Sequence, residues 1–293
     1  MKKSLDVVVF NVISRVFIGF LALFCLFPFI LVISGSLSSE DAILKEGYGI
    51  LPKYFSLEAY RFIADNPKSV INAYGVTIFV TFTSCILALF LISMTAYVLY
   101  RKDFKYRNIF AFIFYFTTIF SGGMLPSYIL MVRYLRLKDN LLVLILPGIF
   151  SVFFLLIMRN FMSGTIPDSL GESAKIDGAG DFYIYLKIIL PLMTPALATI
   201  GLFELVGHWN NWANAMLYIT REEFFPLQYL LYRILQASQV VAEGMAETAA
   251  RHQLPAETFK LAMTVVATGP IVLAYPFIQK YFVTGITIGA VKG

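Results

Sequence analysis

The sequence predicts an all-α polytopic membrane protein, and three observations carry that reading. Of its 293 residues, 59% are hydrophobic and only 14% charged, where soluble domains carry roughly 25% charged residues. Apolar content on this scale cannot be hidden in one water-soluble core, so the solvent must be lipid. Runs free of Asp, Glu, Lys and Arg recur at 16–39, 69–100, 108–132, 140–158, 188–220 (interrupted by Glu204) and 261–279. Each reaches the roughly 17–25 residues that a bilayer crossing needs. Taken as six transmembrane helices, they put both termini on one side. The charge of +5 is scattered rather than striped, which speaks against nucleic acid. Cys25 and Cys85 lie in apolar runs and suggest neither a disulfide framework nor a metal site. His208 and His252 stand far apart, so no zinc site is expected.

The first run follows Lys2, Lys3 and Arg15. Ser34-Gly35-Ser36 mimics a signal-peptidase site, but the apolar stretch exceeds the 7–15 residues of a signal core. A retained helix, kinked at Pro28, is expected. Residues 35–70 carry mixed charges from Glu40 to Lys68 with no catalytic spacing, as a solvated loop would. The second run ends in Arg101, Lys102, Lys105 and Arg107, a density of cations that marks the cytoplasmic side. Both termini then face the cytoplasm, with 35–70 and 133–139 outside. Arg133, Arg136 and Lys138 in that short outer turn count against this topology. In the third run Gly122, Gly123 and Pro126 interrupt the helix near its outer end. A plain kink and a cavity-lining break are both compatible with such a sequence.

Between the fourth and fifth runs lies the one long polar-headed segment, Glu172 to Pro191, ESAKIDGAGDFYIYLKIILP. Ile166 is held extended by the proline that follows, and Pro167 suits a first helical position. Asp168 and Glu172 favour an early helical turn. Gly178 accepts the left-handed conformation that ends many helices. A second helix is expected from Asp181 to Pro191. The reading is a short helix, a glycine elbow and a helix returning to the membrane, with Lys175, Asp177 and Lys187 facing water as a docking surface.

These residues resemble the coupling ("EAA") loop of binding-protein-dependent ABC importer permeases. That pattern, Glu-Ala-Ala, three residues, Gly, nine residues, Ile, one residue, Leu-Pro, reads here as Glu172-Ser173-Ala174, Gly178, Ile188 and Leu190-Pro191. Ser173 replaces the middle alanine. The resemblance implies the type I ABC importer fold: six transmembrane helices with a cytoplasmic coupling helix inside the loop 167–191. It divides the chain into a first helix and external loop (1–70), a transmembrane core (71–282) and a cytoplasmic tail (283–293). It also implies that Glu172, Ser173, Ala174, Asp177, Gly178, Ile188, Leu190 and Pro191 couple to a separate ATPase. SLEAY at 56–60 and the tail GITIGAVKG are similar to carbohydrate permeases, and the segment Phe120–Pro147 resembles the branch that handles larger or acidic saccharides such as alginate or pectin fragments.

The fifth run carries the intramembrane chemistry. Glu204, His208, Asn211 and Trp212 are spaced 4, 3 and 1 apart and so share one face of a helix. A carboxylate at the bilayer centre costs roughly 2.5–3.5 kcal/mol on insertion scales and needs a cavity or a partner. An indole stacks on the apolar face of a pyranose, and an amide bonds its hydroxyls. Three roles stay open for Glu204, His208, Trp209, Asn211 and Trp212: sugar contact, structural pairing with interfacial tryptophans, and gating. Residues 218–260 form a long outer segment, with a helix expected at Phe224–Gln236. It is either a receptor-docking surface or a loop packed on its own spans.

No phosphate-binding G-x-x-x-x-G-K-[ST], nucleophile elbow, zinc motif or kinase signature occurs, so no catalytic residue, metal or cofactor is expected in this chain. ATP and Mg belong to a partner. The resemblance implies a second, similar permease, two ATPase subunits, an extracytoplasmic solute-binding protein and a saccharide, in a bacterial inner membrane. An ion-coupled secondary transporter is the alternative. A membrane enzyme acting on lipid-linked sugar, with Glu204 and His208 as its acid–base pair, is a third reading.

Overall fold

The computed structural model describes residues 5–65, 67–242 and 257–273. The regular structure among the described residues is helical, apart from one isolated antiparallel bridge between Ser38 and Phe55. The chain divides into two units, 1–68 with 231–270, and 69–230 with 271–293.

In the first unit, α1 (Leu5–Ser36) is 32 residues long, roughly 48 Å at 1.5 Å per residue. That is ample for a bilayer, and the helix is apolar on every face with its large side chains exposed. It begins well before residue 16, because the scattered polar residues at its start do not stop a helix. Pro28 lies inside it. After α2 (Glu40–Glu46) the chain doubles back, and Ser56 N–H donates to Leu37 O at 2.9 Å. α3 (Glu58–Asp65) follows. The Glu40 carboxylate accepts the backbone N–H groups of Glu257 and Thr258 (2.9 and 2.8 Å) and the Thr258 hydroxyl (2.8 Å). A distant acid thus satisfies donors that the first turn of helix 257–273 leaves open.

The second unit is organised on α4 (Pro67–Tyr100). Ala88, Ile92, Ala96 and Leu99 recur at helical spacing and pack with Leu155, Met158, Met162, Ile184, Ile189, Met193 and Ile200. Small side chains on this face let neighbouring backbones approach closely. α5 (Arg107–Ile119) and α6 (Met124–Ile129, extended by a π-turn Leu130–Tyr134) are bent by 109° about the break at 120–123. Gly123 there takes φ +86°, a conformation that side chains with a Cβ adopt rarely. α7 (Leu142–Ile145) and α8 (Val152–Thr165) are separated by Pro147-Gly148. α9 (Asp168–Ile176), α10 (Asp181–Ile184), a π-turn Tyr185–Ile189 and α11 (Leu190–Leu192) lead to α12 (Thr194–Trp209), bent by 80° from α10–α11. α13 (Ala213–Tyr218) and α14 (Leu227–Ala242) follow.

Among the described residues two helices are long and apolar enough to cross a membrane, or four if each bent pair is one span. The six expected spans are not counted among these helices, because several charge-free runs are split into shorter helices and the last run lies partly outside the described residues. Freedom from charge measures apolarity and not helical continuity: the runs 108–132, 140–158 and 188–220 are broken where Gly, Pro and Asn intervene. The helix expected at Phe224–Gln236 starts at Leu227 and continues to Ala242. The GITIGAVKG tail, the residues 243–256 and the end of the last run lie outside the described residues.

Candidate functional site

The polar-headed segment folds much as its sequence dictates. Ile166 is extended (φ −103°, ψ 116°). Pro167 caps α9 from one position earlier than expected, with ψ 137°. At the other end Gly178 takes φ +80°. Ala179 N–H reaches Ala174 O at 2.9 Å and Gly178 N–H reaches Lys175 O at 3.0 Å, the paired bonds of a Schellman motif. On α9 Ala174 is buried, whereas Glu172, Ser173, Lys175 and Asp177 are exposed. The exposed Ser173 meets no packing constraint within this chain. Beyond the elbow Ile184, Tyr185 and Ile189 enter the core, Ile188 and Leu190 pack against it, and Pro191 and Lys187 face outward. Leu190 N–H bonds back five residues to Tyr185 O.

Charges that served only to assign sidedness in the sequence fasten this segment to the end of α4. Arg101 holds Asp103 through Nε–Oδ1 at 2.9 Å and Nη2–Oδ2 at 2.5 Å, and reaches Asp181 with Nη1 at 2.7 Å. Lys175 Nζ pairs with Asp103 at 2.6 Å and with Asp181 at 3.6 Å. Lys102 pairs with Asp168. Arg101, then Lys175, hold the Asp103 carboxyl well below the usual carboxylate range. Arg101 lowers Asp181, and Lys102 lowers Asp168. Beneath the charges Tyr100 Oη donates to Ile166 O at 2.9 Å, and the Ser93 and Tyr185 hydroxyls share a buried bond of 2.7 Å. A pocket of about 230 Å³ lies here, walled by Tyr97, Tyr100, Asp103, Gly171, Glu172 and Ile189 among others.

A second polar site sits at the end of α12. Glu204 and His208 are buried at 4% and 9% exposure, one turn apart, with Glu204 Oε2 3.2 Å from His208 Nε2. Glu204 Oε1 is buried with no hydrogen-bond partner among the described residues. These two residues line a cavity of about 390 Å³ with Pro147, Gly148, Gly207, Asn211 and Asn214. The helix ends at Trp209, so Asn211 and Trp212 do not continue its face as the spacing implied. Asn211 reaches the cavity from the link between α12 and α13, where its Oδ1 also accepts Asn214 N–H at 3.3 Å. Buried Trp209 and half-exposed Trp212 are not among the lining residues. Pro147, Gly148 and Asn214 were missed in the sequence; the proline–glycine pair inside an apolar run was the available signal.

The turn after α6 is fixed by Asp139, which accepts Thr220 N–H (2.5 Å), the Thr220 hydroxyl (2.7 Å) and Arg221 N–H (3.0 Å). Thr220 and then Arg221 hold this carboxyl below its ordinary value. Both Arg136 and Asp139 have positive φ.

No protein-family model matches the sequence. The chain is 41% identical, over 97% of its length and 98% of the relative's, to the polygalacturonan/rhamnogalacturonan transport system permease protein YtcP of Bacillus subtilis. It is 28% identical to the arabinooligosaccharides transport system permease protein AraQ of Halalkalibacterium halodurans, over 94% of each chain. It also superposes on a chain from the crystal structure of a bacterial ABC transporter involved in the import of the acidic polysaccharide alginate. There the TM-score is 0.82 and the identity 32%, covering 96% of this chain and 99% of that one.

Proposed function

Since this chain belongs to the permease subunits of carbohydrate ABC transport systems, we propose that it conducts oligo- or polysaccharide fragments as one half of the membrane pore of an ATP-driven importer. The ion-coupled alternative finds no support among the relatives. In this reading residues 167–191 seat on a partner ATPase through Glu172, Ser173, Ala174, Asp177 and Gly178, while Ile188, Leu190 and Pro191 lead back into the bundle. Glu204, His208, Trp209, Asn211 and Trp212 border the sugar path. The other components are a second, similar permease, two ATPase subunits that bring ATP and Mg, and an extracytoplasmic solute-binding protein. The chain crosses the bacterial inner membrane six times with both termini in the cytoplasm. The domain limits are 1–70, 71–282 and 283–293.

The observation that carries the coupling role is the contrast along α9. Ala174 anchors the helix to the core, while Glu172 and Asp177 stand exposed on a backbone stopped by Gly178. Such an element transmits a push rather than absorbing it. The test is Glu172→Lys in the assembled complex. It is expected to lose the ATPase on purification and to abolish uptake, while the chain still inserts and pairs with the second permease. Undiminished ATP-driven uptake by that variant contradicts the coupling role.

A further inference from the structure

The cavity beside α12 has a chemistry that the relatives' names do not suggest. Its lining offers one carboxylate, one imidazole, two amides and the backbone of Pro147, Gly148 and Gly207. No lysine or arginine is among the described lining residues. Of these, the one group able to carry positive charge, His208, already has its Nε2 on Glu204 Oε2 at 3.2 Å. Glu204 Oε1, on a residue more than nine-tenths buried, is an acceptor with no donor among the described residues. A buried acceptor left in that state is expensive, and a hydroxyl hydrogen satisfies it. An entering carboxylate brings a further acceptor and a further negative charge, with no free cation to meet it, into a low-dielectric site.

We propose that this cavity binds the uncharged, hydroxyl-bearing face of a pyranose, with a sugar O–H donating to Glu204 and others pairing with Asn211 and Asn214, and that it discriminates against a uronate carboxylate. The inference rests on the transport reading above and narrows it. For an acidic oligosaccharide, the carboxylates would have to be neutralised by another chain of the assembly or point away from α12. His208 acts as a positioning residue: it holds one oxygen of Glu204 and leaves the other to the ligand.

The test uses the complete importer in nanodiscs without its receptor, and saturation-transfer NMR with two probes. One is trigalacturonate, and the other is its carboxyl-reduced, neutral counterpart. The neutral probe is expected to bind at least roughly ten-fold more tightly, because an uncompensated carboxylate meets Glu204 in a site of low effective dielectric. Glu204→Gln should shrink that ratio and His208→Gln should widen it. Loss of fold lowers both affinities without moving the ratio in opposite directions. Asn214→Asp, at the edge of the cavity, provides a second variant and should also widen the ratio. Equal binding of the two probes, absence of binding by either, or a ratio that the variants leave unchanged would each overturn the proposal. ATP-driven uptake by the receptor-supplemented complex separates the two levels. Uptake without discrimination sinks this inference alone, and absence of uptake sinks the transport reading beneath it.

Discussion

Replacing Arg101 by alanine removes the guanidinium that ties the end of α4 to the far side of the glycine elbow. Two ion pairs go, one to Asp103 through two nitrogens and one to Asp181 at 2.7 Å. Exposed pairs contribute about 0.2–1 kcal/mol each once solvent screening is counted. The two-pronged grip and the partly covered guanidinium put both near the upper end, so the loss is about 1–2 kcal/mol. At 1.4 kcal/mol per decade this raises the undocked population of the segment about 5- to 30-fold. Amide exchange of residues 177–185 in nanodiscs reads that population directly. Arg101→Lys should fall between the wild type and alanine, because an ammonium restores charge but not the fork. The Asp103 and Asp181 carboxyls are both depressed, so their contribution is complete above the unfolded value near 3.9 and is lost as pH falls through the lower folded values. Protection at 177–185, corrected for the intrinsic exchange rate, should therefore stay constant from pH 5 to 9, and the difference between wild type and variant should vanish only in strong acid. Unchanged exchange at 177–185 in Arg101→Ala would refute the clamp.

Gly178→Ala forces a Cβ into the left-handed region at φ +80° and should destabilise the elbow by about 1–2 kcal/mol, seen as faster protease cleavage there. Asp139→Ala frees three donors on Thr220 and Arg221 and should loosen 218–222 in exchange by about ten-fold, whereas Asp139→Asn should retain part of the effect. The wild-type turn should loosen only below the ordinary carboxylate range, since the Asp139 carboxyl is lowered. Glu40→Ala uncovers the backbone donors of residues 257 and 258 and should lower thermal stability by about 1 kcal/mol.

What the sequence made legible was local. Pro167 and Gly178 each act through their own backbone or that of near neighbours, so the helix and its stop could be read directly. The Arg101–Asp181 pair could not be read, because it joins residues eighty apart, and nothing in a list of charges says which will meet. The same holds for Asp139, hidden among cations, and for Asn214. Helix continuity was legible in one place and not in another. Gly122-Gly123 announced the break between α5 and α6, whereas Pro147-Gly148 splits its run without adding charge, so a count of charged residues passes over it. The four-three spacing of Glu204, His208 and Asn211 did find residues of one cavity, although Asn211 arrives there from beyond the helix end.

The joint between α9–α10 and α4 is made of three materials: surface ions around Arg101, one buried hydroxyl pair at Ser93 and Tyr185, and an apolar seam through Ala174 and Ile184. Dissolved salt reaches only the first, with the Debye length contracting to about 3 Å at 1 M. A cell whose ionic strength swings during osmotic stress would therefore soften this hinge without unseating it.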